Sequence, residues 1–414
     1  MNRNPEKTAA LSDIRVLDMS RVLAGPLCGQ LLADLGADVI KIERPVSGDD
    51  SRAWGPPFLP DQEGEPTRES AFYLSCNRGK RSVTVDLATP AGRELIRKLA
   101  AASDVLIENY KVGTLEKYGL GYADLSAINP KLVYCSITGF GQTGPYSARP
   151  GYDTIVQAMG GLMSITGQPD GAPGAGPVRV GIALTDTMTA LYATIAVQAA
   201  LSRREHSGRG EHLDLSLLDV QVSALSAVAM NYLVSGKVPT RRGNRLPTVY
   251  PSDTFRCEDG YVMLIVGNDQ QFRRLASTIG LPDLADDPRF RTNEARVQHA
   301  DALARIIGEK LEARPVRDWL AALDAAQVPC APINDIAQVF EDPQVVARGM
   351  RVELPHPLAG AVPGIANPIR FGDEPMQSDR APPTLGQHTQ EVLEEVLGLD
   401  GAGFDALRAS GALG

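Results

Sequence analysis

A chain of 414 residues exceeds one ordinary compact domain and is long enough to bury a sizeable core. Apolar residues at 43 % and charged residues at 22 % are ordinary for a soluble globular protein. Forty-one Lys and Arg against 50 Asp and Glu leave a net charge of −9 with no basic arm, which argues against nucleic acid as a partner.

Alternating strands and helices fill the first half. Ile14–Met19 reads as a strand, Gly25-Pro26 opens an apolar helix to about Leu35, and Ala37–Ile42 is a second strand. Ser82–Leu87 follows as a strand, and Thr89-Pro90 caps a helix to about Ala102. Asp104–Glu108 and Lys131–Thr138 are further strands. Helices between strands at this spacing predict βαβ units and a parallel sheet. Helical stretches come next, over Asp153–Ile165 and Thr185–Arg204, the second stopped at Ser207-Gly208.

The pattern then changes. Leu218–Val234 reads as one apolar helix, Arg241–Thr248 as a basic loop, Tyr261–Val266 as a buried strand, and Gln270–Ile279 as a helix. Asp287–Asn293 is an irregular crossing. Glu294–Ala313 is amphipathic, with Val297, Ala300, Ala304, Ile307 and Leu311 along one side. The tail returns to alternating short elements and ends with Glu391–Leu397 and Ala402–Leu413. The expected organisation is a large α/β domain from both chain ends: residues 1–205, a linker helix over 206–244, a small domain at 245–320, and a return over 321–414.

Several chemistries find no support. The five cysteines lie far apart without a C-x-x-C pair, which fits reduced thiols in the cytosol. Met1–Ala10 has no apolar core of a signal peptide, and no apolar run reaches the length of a membrane span, so a cytoplasmic protein is expected. The five histidines show no metal-ligand spacing, and no serine stands in a G-x-S-x-G elbow. Gly139 to Gly144 spells G-x-G-x-x-G after a strand, yet Pro145 and Pro150 follow, and no helix can start before Asp153. A dinucleotide site needs that helix N-terminus, so a glycine-rich loop is the better reading.

Carboxylates remain as nucleophiles. Asp186 begins an apolar helix, where the dipole favours negative charge; spacing alone favours an N-cap, and the functional reading is a carboxylate placed to attack an acyl carbonyl. Asp153 carries the same ambiguity.

Motifs in order along the chain resemble the class III CoA-transferases: Asp18 to Pro26, Gly36 to Pro45, Glu108 to Tyr110, Ser136 to Pro145, Gly151 to Asp153, Gly160 to Gly167, and Pro383 to Thr389. Trp54 to Pro57 and Gly267 to Phe272 look closest to the branch that moves CoA from succinyl-CoA to glutarate. The resemblance implies a Rossmann-like large domain with a smaller inserted α/β domain, in an interlocked homodimer. It implies Asp186 as covalent nucleophile, acting through an aspartyl-acyl anhydride and an aspartyl-CoA thioester. Neither metal nor ATP nor a tightly bound cofactor is implied, with acyl-CoA and a small carboxylic acid as substrates. By position, the CoA site comprises Leu23, Ala24, Arg44, Val85, Asp86, Leu87, Ala88, Asn109, Tyr110, Lys111, Lys117, Tyr152 and Asp153. Arg44 and Lys117 would pair with phosphates, and Val85 and Leu87 would offer an apolar bed for adenine.

Departures narrow the substrate. Leu23 stands where the formyl-CoA:oxalate branch has a glutamine, and Arg241 to Arg245 replaces its glycine run. A C4–C5 dicarboxylate is therefore expected as acceptor, its far carboxylate met by Arg21, Arg179, Arg241 or Arg242. Competing readings are an oxalate-type transferase, an α-methylacyl-CoA racemase and a non-catalytic acyl-CoA-binding protein. The racemase reading lacks its histidine, since Tyr152 holds that place and an unperturbed tyrosine titrates near 10.

Overall fold

The computed structural model describes residues 9–413. Most of the Met1–Ala10 segment, read above as lacking a signal peptide, lies outside the described residues. The chain divides into two compact units, 1–162 with 180–235 and 344–414, and 163–179 with 236–343.

Six parallel strands form the sheet of the first unit: β1 Arg15–Asp18, β2 Asp38–Glu43, β3 Lys80–Thr84, β4 Val105–Glu108, β5 Val133–Thr138 and β6 His212–Ser216. Their spatial order is β3-β2-β1-β4-β5-β6, so the direction of winding reverses between β1 and β4. At such a reversal the loops after neighbouring strands part and leave a crevice. β6 falls within the segment expected to be a linker helix.

Alternation along the strands builds two apolar layers. Val16, Val39, Val105 and Val133 face helices α1 (Ala24–Asp34) and, later in the chain, Leu184–Ser207. Leu17, Ile40, Leu106 and Tyr134 face helix α2 (Pro90–Ala101) together with Val392 and Leu393 near the C-terminus. Each such aliphatic side chain, fully buried, contributes about 1.5–3 kcal/mol. α2 starts as its sequence predicts, the Thr89 hydroxyl accepting from Gly92 N–H with Pro90 at the first helical position.

Three expected helices are broken. Asp153–Ile165 is split into α3 (Asp153–Met159) and Leu162–Ile165, with Gly161 at φ +85° between them. Leu218–Val234 is split into Leu217–Ala224 and Ser226–Ser235, bent by 73° where Ser226 takes φ +44°. No single helix among the described residues is long and apolar enough to cross a membrane. Glu294–Ala313 divides at His299 into Asn293–Gln298 and Ala300–Leu311. Leu303, Ile307 and Leu311 are buried, whereas Val297, Ala300 and Ala304 only border that core.

The second unit carries a three-stranded antiparallel sheet. Tyr261–Ile265 is its centre, flanked by Ser252–Arg256 and Cys330–Pro332. The central strand alternates instead of being buried throughout: Val262 and Leu264 are buried while Tyr261 and Ile265 are exposed.

Candidate active site

Parallel strands deliver their following loops to one sheet edge. Leu23 and Ala24 come after β1, Arg44 after β2, Val85 to Ala88 after β3, Asn109 to Lys111 after β4, and the loop to Tyr152 and Asp153 after β5. The loops after β1 and β4 flank the reversal in winding.

The loop after β5 is closed by its glycines. A Cβ on Gly139 would lie 2.5 Å from the Cα of Gly151, and one on Gly151 would lie 2.3 Å from the Cα of Gly139. Only glycine at both positions permits that approach. Gly139 also accepts from Leu218 N–H at 3.1 Å, and Gln142 N–H donates to the Asp214 carboxylate. The G-x-G-x-x-G stretch is thus a braced loop, and the next helix starts at Asp153.

Asp186 lies in the first turn of α4 (Leu184–Ser207), a helix whose N-cap residue, Ala183, supplies no side-chain cap. The missing cap comes from Asp153. Its Oδ2 accepts from Thr185 N–H at 2.8 Å and from Asp186 N–H at 3.2 Å. Gln157, one turn further along α3, donates to Asp153 Oδ1 at 2.6 Å and accepts from Val180 N–H at 3.0 Å. On the other side Thr185 Oγ1 donates to Gln221 Oε1 at 2.7 Å. Asp153, Gln157, Thr185 and Gln221 are all buried, while Asp186 itself keeps partial exposure. Burial, aided by the neighbouring Asp153 charge, pushes the Asp186 carboxyl up to about 7. A poorly solvated carboxylate, open on one side and fixed at its backbone, suits attack on an electrophilic carbonyl.

The other predicted residues are distributed unevenly. Val85 is 2 % exposed and packs within the core, so its side chain offers no bed for a ligand, whereas Leu87 borders that core. Asp86 Oδ1 accepts from Ala88 N–H at 2.8 Å and shapes the loop. Arg44, Lys111, Lys117 and Tyr152 are exposed; Lys117 ends a short helix, Thr114–Lys117. The Asn109 side chain is occupied: it accepts from Arg21 N–H at 2.9 Å and donates to Arg21 O at 2.6 Å. Tyr110 N–H donates to Glu108 at 2.7 Å, and the Arg21 guanidinium sits over the Tyr110 ring. Of the four arginines named for a distal carboxylate, Arg21 pairs with Asp50 at 2.8 Å and Arg241 pairs with Asp170; Arg179 and Arg242 are exposed.

Beneath these loops lies an ionic cluster that pattern reading missed. Lys80 Nζ donates to Asp18, Pro26 O and Asn77, and Lys41 Nζ donates to Asp49 and Ser20 O. Both lysines are fully buried. Burial opposes ionisation of Asp18, but the Lys80 and Lys41 charges outweigh it and hold the carboxyl below its ordinary value. The signals present were Lys41 inside the strand read over Ala37–Ile42 and Lys80 two residues before the strand read over Ser82–Leu87.

The model of CoA-transferase family III matches residues 11–389. The succinate–glutarate CoA-transferase of Agrobacterium fabrum is 49 % identical over 396 residues, covering 96 % of this chain and 98 % of that protein. The human succinyl-CoA:glutarate CoA-transferase is 43 % identical, covering 97 % and 90 %. A crystal structure of a CAIB/BAIF family protein from Brucella suis superposes with a TM-score of 0.86 at 47 % identity, covering 94 % of this chain and all of that one. A match along nearly the whole length, at these identities, makes this chain a member of CoA-transferase family III and a CoA-transferase.

Proposed function

We propose that the protein moves coenzyme A from succinyl-CoA to a C4–C5 dicarboxylate, with Asp186 as covalent nucleophile. The carrying observation is the Asp186 carboxylate, partly open and held through its own backbone N–H by Asp153. The carboxylate attacks the thioester carbonyl and expels the CoA thiolate, leaving an aspartyl-acyl anhydride. The thiolate then attacks the aspartyl carbonyl, releasing the donor acid and forming an aspartyl-CoA thioester. The acceptor carboxylate repeats the exchange in reverse, and Asp186 is regenerated. Each step trades one activated acyl bond for another, so no outside energy source enters.

The names of the relatives from Agrobacterium fabrum and human support succinyl-CoA and glutarate as the pair. Leu23, where the formyl-CoA:oxalate branch has a glutamine, supports an acceptor larger than oxalate. The β3-β2-β1-β4-β5-β6 order supports a Rossmann-like large domain. Large apolar side chains left exposed on α4 and on Ser226–Ser235, with Ile195 at 63 % and Leu233 at 71 %, support an interlocked homodimer that covers them. Five unpaired thiols support a cytoplasmic location.

Equimolar glutarate, succinate and oxalate compete for CoA from labelled succinyl-CoA in the deciding assay, read by mass spectrometry. A short diacid leaves the arginine meant for the far carboxylate unpaired, at roughly 1–3 kcal/mol. The C4–C5 products should exceed oxalyl-CoA by about tenfold or more. Dominant oxalyl-CoA would refute the substrate reading and leave the family intact.

A further inference from the structure

The turn between β1 and α1 has an unusual backbone. Val22 takes φ +75°, a left-handed conformation that is costly for a β-branched residue. Every backbone polar group of Arg21 and Val22 is held by a side chain from another segment. Asn109 accepts from Arg21 N–H at 2.9 Å and donates to Arg21 O at 2.6 Å. Asp49 Oδ1 accepts from Val22 N–H at 3.1 Å, and the Cys76 thiol lies 3.5 Å from Val22 O. Asp49 is itself fixed by Lys41 Nζ at 2.9 Å, and that same ammonium donates to Ser20 O at 3.0 Å.

We propose that Asn109 and Asp49 are positioning residues, a two-sided clamp that keeps Arg21–Val22 in its left-handed turn and thereby sets the affinity for acyl-CoA. The proposal rests on the transferase reading above, which puts CoA beside Leu23 and Ala24. The Asn109 amide gives one N–H to Arg21 O and its oxygen to Arg21 N–H, so its side chain braces the protein backbone. Asp49 is 1 % exposed and its two oxygens are likewise taken by Val22, Ser51 and Lys41. Burial opposes its charge, but Lys41 and the Ser51 donors bring the carboxyl down to about 2, so this arm stays ionised at any working pH. Cys76, pushed by burial up to about 12, stays a thiol that can donate. The clamp is therefore insensitive to pH. A strained turn with all its backbone groups bound from outside is held in the conformation it would otherwise leave.

The test is Asn109→Asp, which keeps the shape, retains the acceptor for Arg21 N–H and turns the second arm into an acceptor facing Arg21 O. Calorimetry with coenzyme A on the whole protein, and steady-state kinetics with succinyl-CoA and glutarate, are the readouts. We expect Kd and KM to rise about tenfold with kcat within about twofold, equally at pH 6.5 and 8.5. Adding Val22→Gly, which removes the strain, should recover about threefold of that loss. A purely structural role would instead reduce the active fraction and kcat at unchanged KM, and that result overturns the clamp, as does a failure of Val22→Gly to recover affinity. Should Asn109→Asp not fold, Asn109→Ser, which buries no new charge, is read in the same way. Wild-type protein that binds no coenzyme A would overturn the transferase reading and the clamp with it, whereas wild-type binding with unchanged variants overturns the clamp alone.

Discussion

Asp153 Oδ2 lies 3.2 Å from the backbone nitrogen of Asp186, so the residue that caps the Asp186 helix also places a like charge beside the Asp186 carboxyl. The two effects oppose each other. The hydrogen bonds fix Asp186 in space, while the Asp153 charge adds to burial in pushing the Asp186 carboxyl up to about 7.

A pH profile follows directly. The proposed attack by Asp186 needs the carboxylate, so kcat/KM for acyl-CoA should rise with pH below about 7 and level off above it. Asp153→Asn removes the neighbouring charge but keeps an acceptor for Thr185 and Asp186, so the acid limb should move to lower pH. An unmoved limb would assign it to another group, with Glu108, raised by burial to about 7 beneath the Tyr110 loop, the first alternative.

Asp186→Asn should lose activity and gain stability. Retained turnover above about 1 % would refute the nucleophile, since covalent catalysis lost costs several kcal/mol. For stability, the folded carboxyl titrates above its ordinary 3.8, so the unfolded chain ionises first. The charge therefore destabilises the fold progressively as pH rises from about 4 to about 7, and fully above that. Thermal melts should show the asparagine variant higher by about 1–2 °C at pH 8, for a gain near 1 kcal/mol, and level with wild type at pH 4.

Arg44 is exposed immediately after β2. Arg44→Ala should raise KM for every acyl-CoA by a similar factor at nearly constant kcat, because binding lost far from the reacting carbonyl is uniform. Kinetics with two donors of different acyl length decide: an effect on one donor alone would move Arg44 to the acyl pocket.

The Asp18–Lys80 pair makes a stability test. Lys80→Ala leaves the fully buried Asp18 without its 2.7 Å partner and should cost about 3–5 kcal/mol in chemical denaturation. Lys80→Met combined with Asp18→Asn removes both charges and should recover most of that loss. If the double variant is no better than the single, hydrogen bonds to Pro26 O and Asn77 outweigh the charge pair.

Local signals were legible in the amino-acid order. Thr89-Pro90 starts α2, Gly208 ends α4 in a left-handed turn, and the apolar runs of β1 to β5 lie within two residues of their predicted starts. These depend on contacts within one turn or one strand, which neighbouring residues decide. Other features needed the chain to come back on itself. β6 is a short polar-apolar alternation, His212–Ser216, that becomes a strand only because β5 offers it an edge. The amphipathic run 294–313 breaks at His299 although its periodicity continues, because packing in the core selects Leu303 over its neighbours. Asp186 was visible as a carboxylate at a helix start, but its cap lies 33 residues earlier in Asp153. Nothing in the order of residues marks Lys41 and Lys80 as buried; their burial follows from Asp18, Asp49 and Asn77 converging at the strand ends, since a buried charge persists only where distant partners satisfy it.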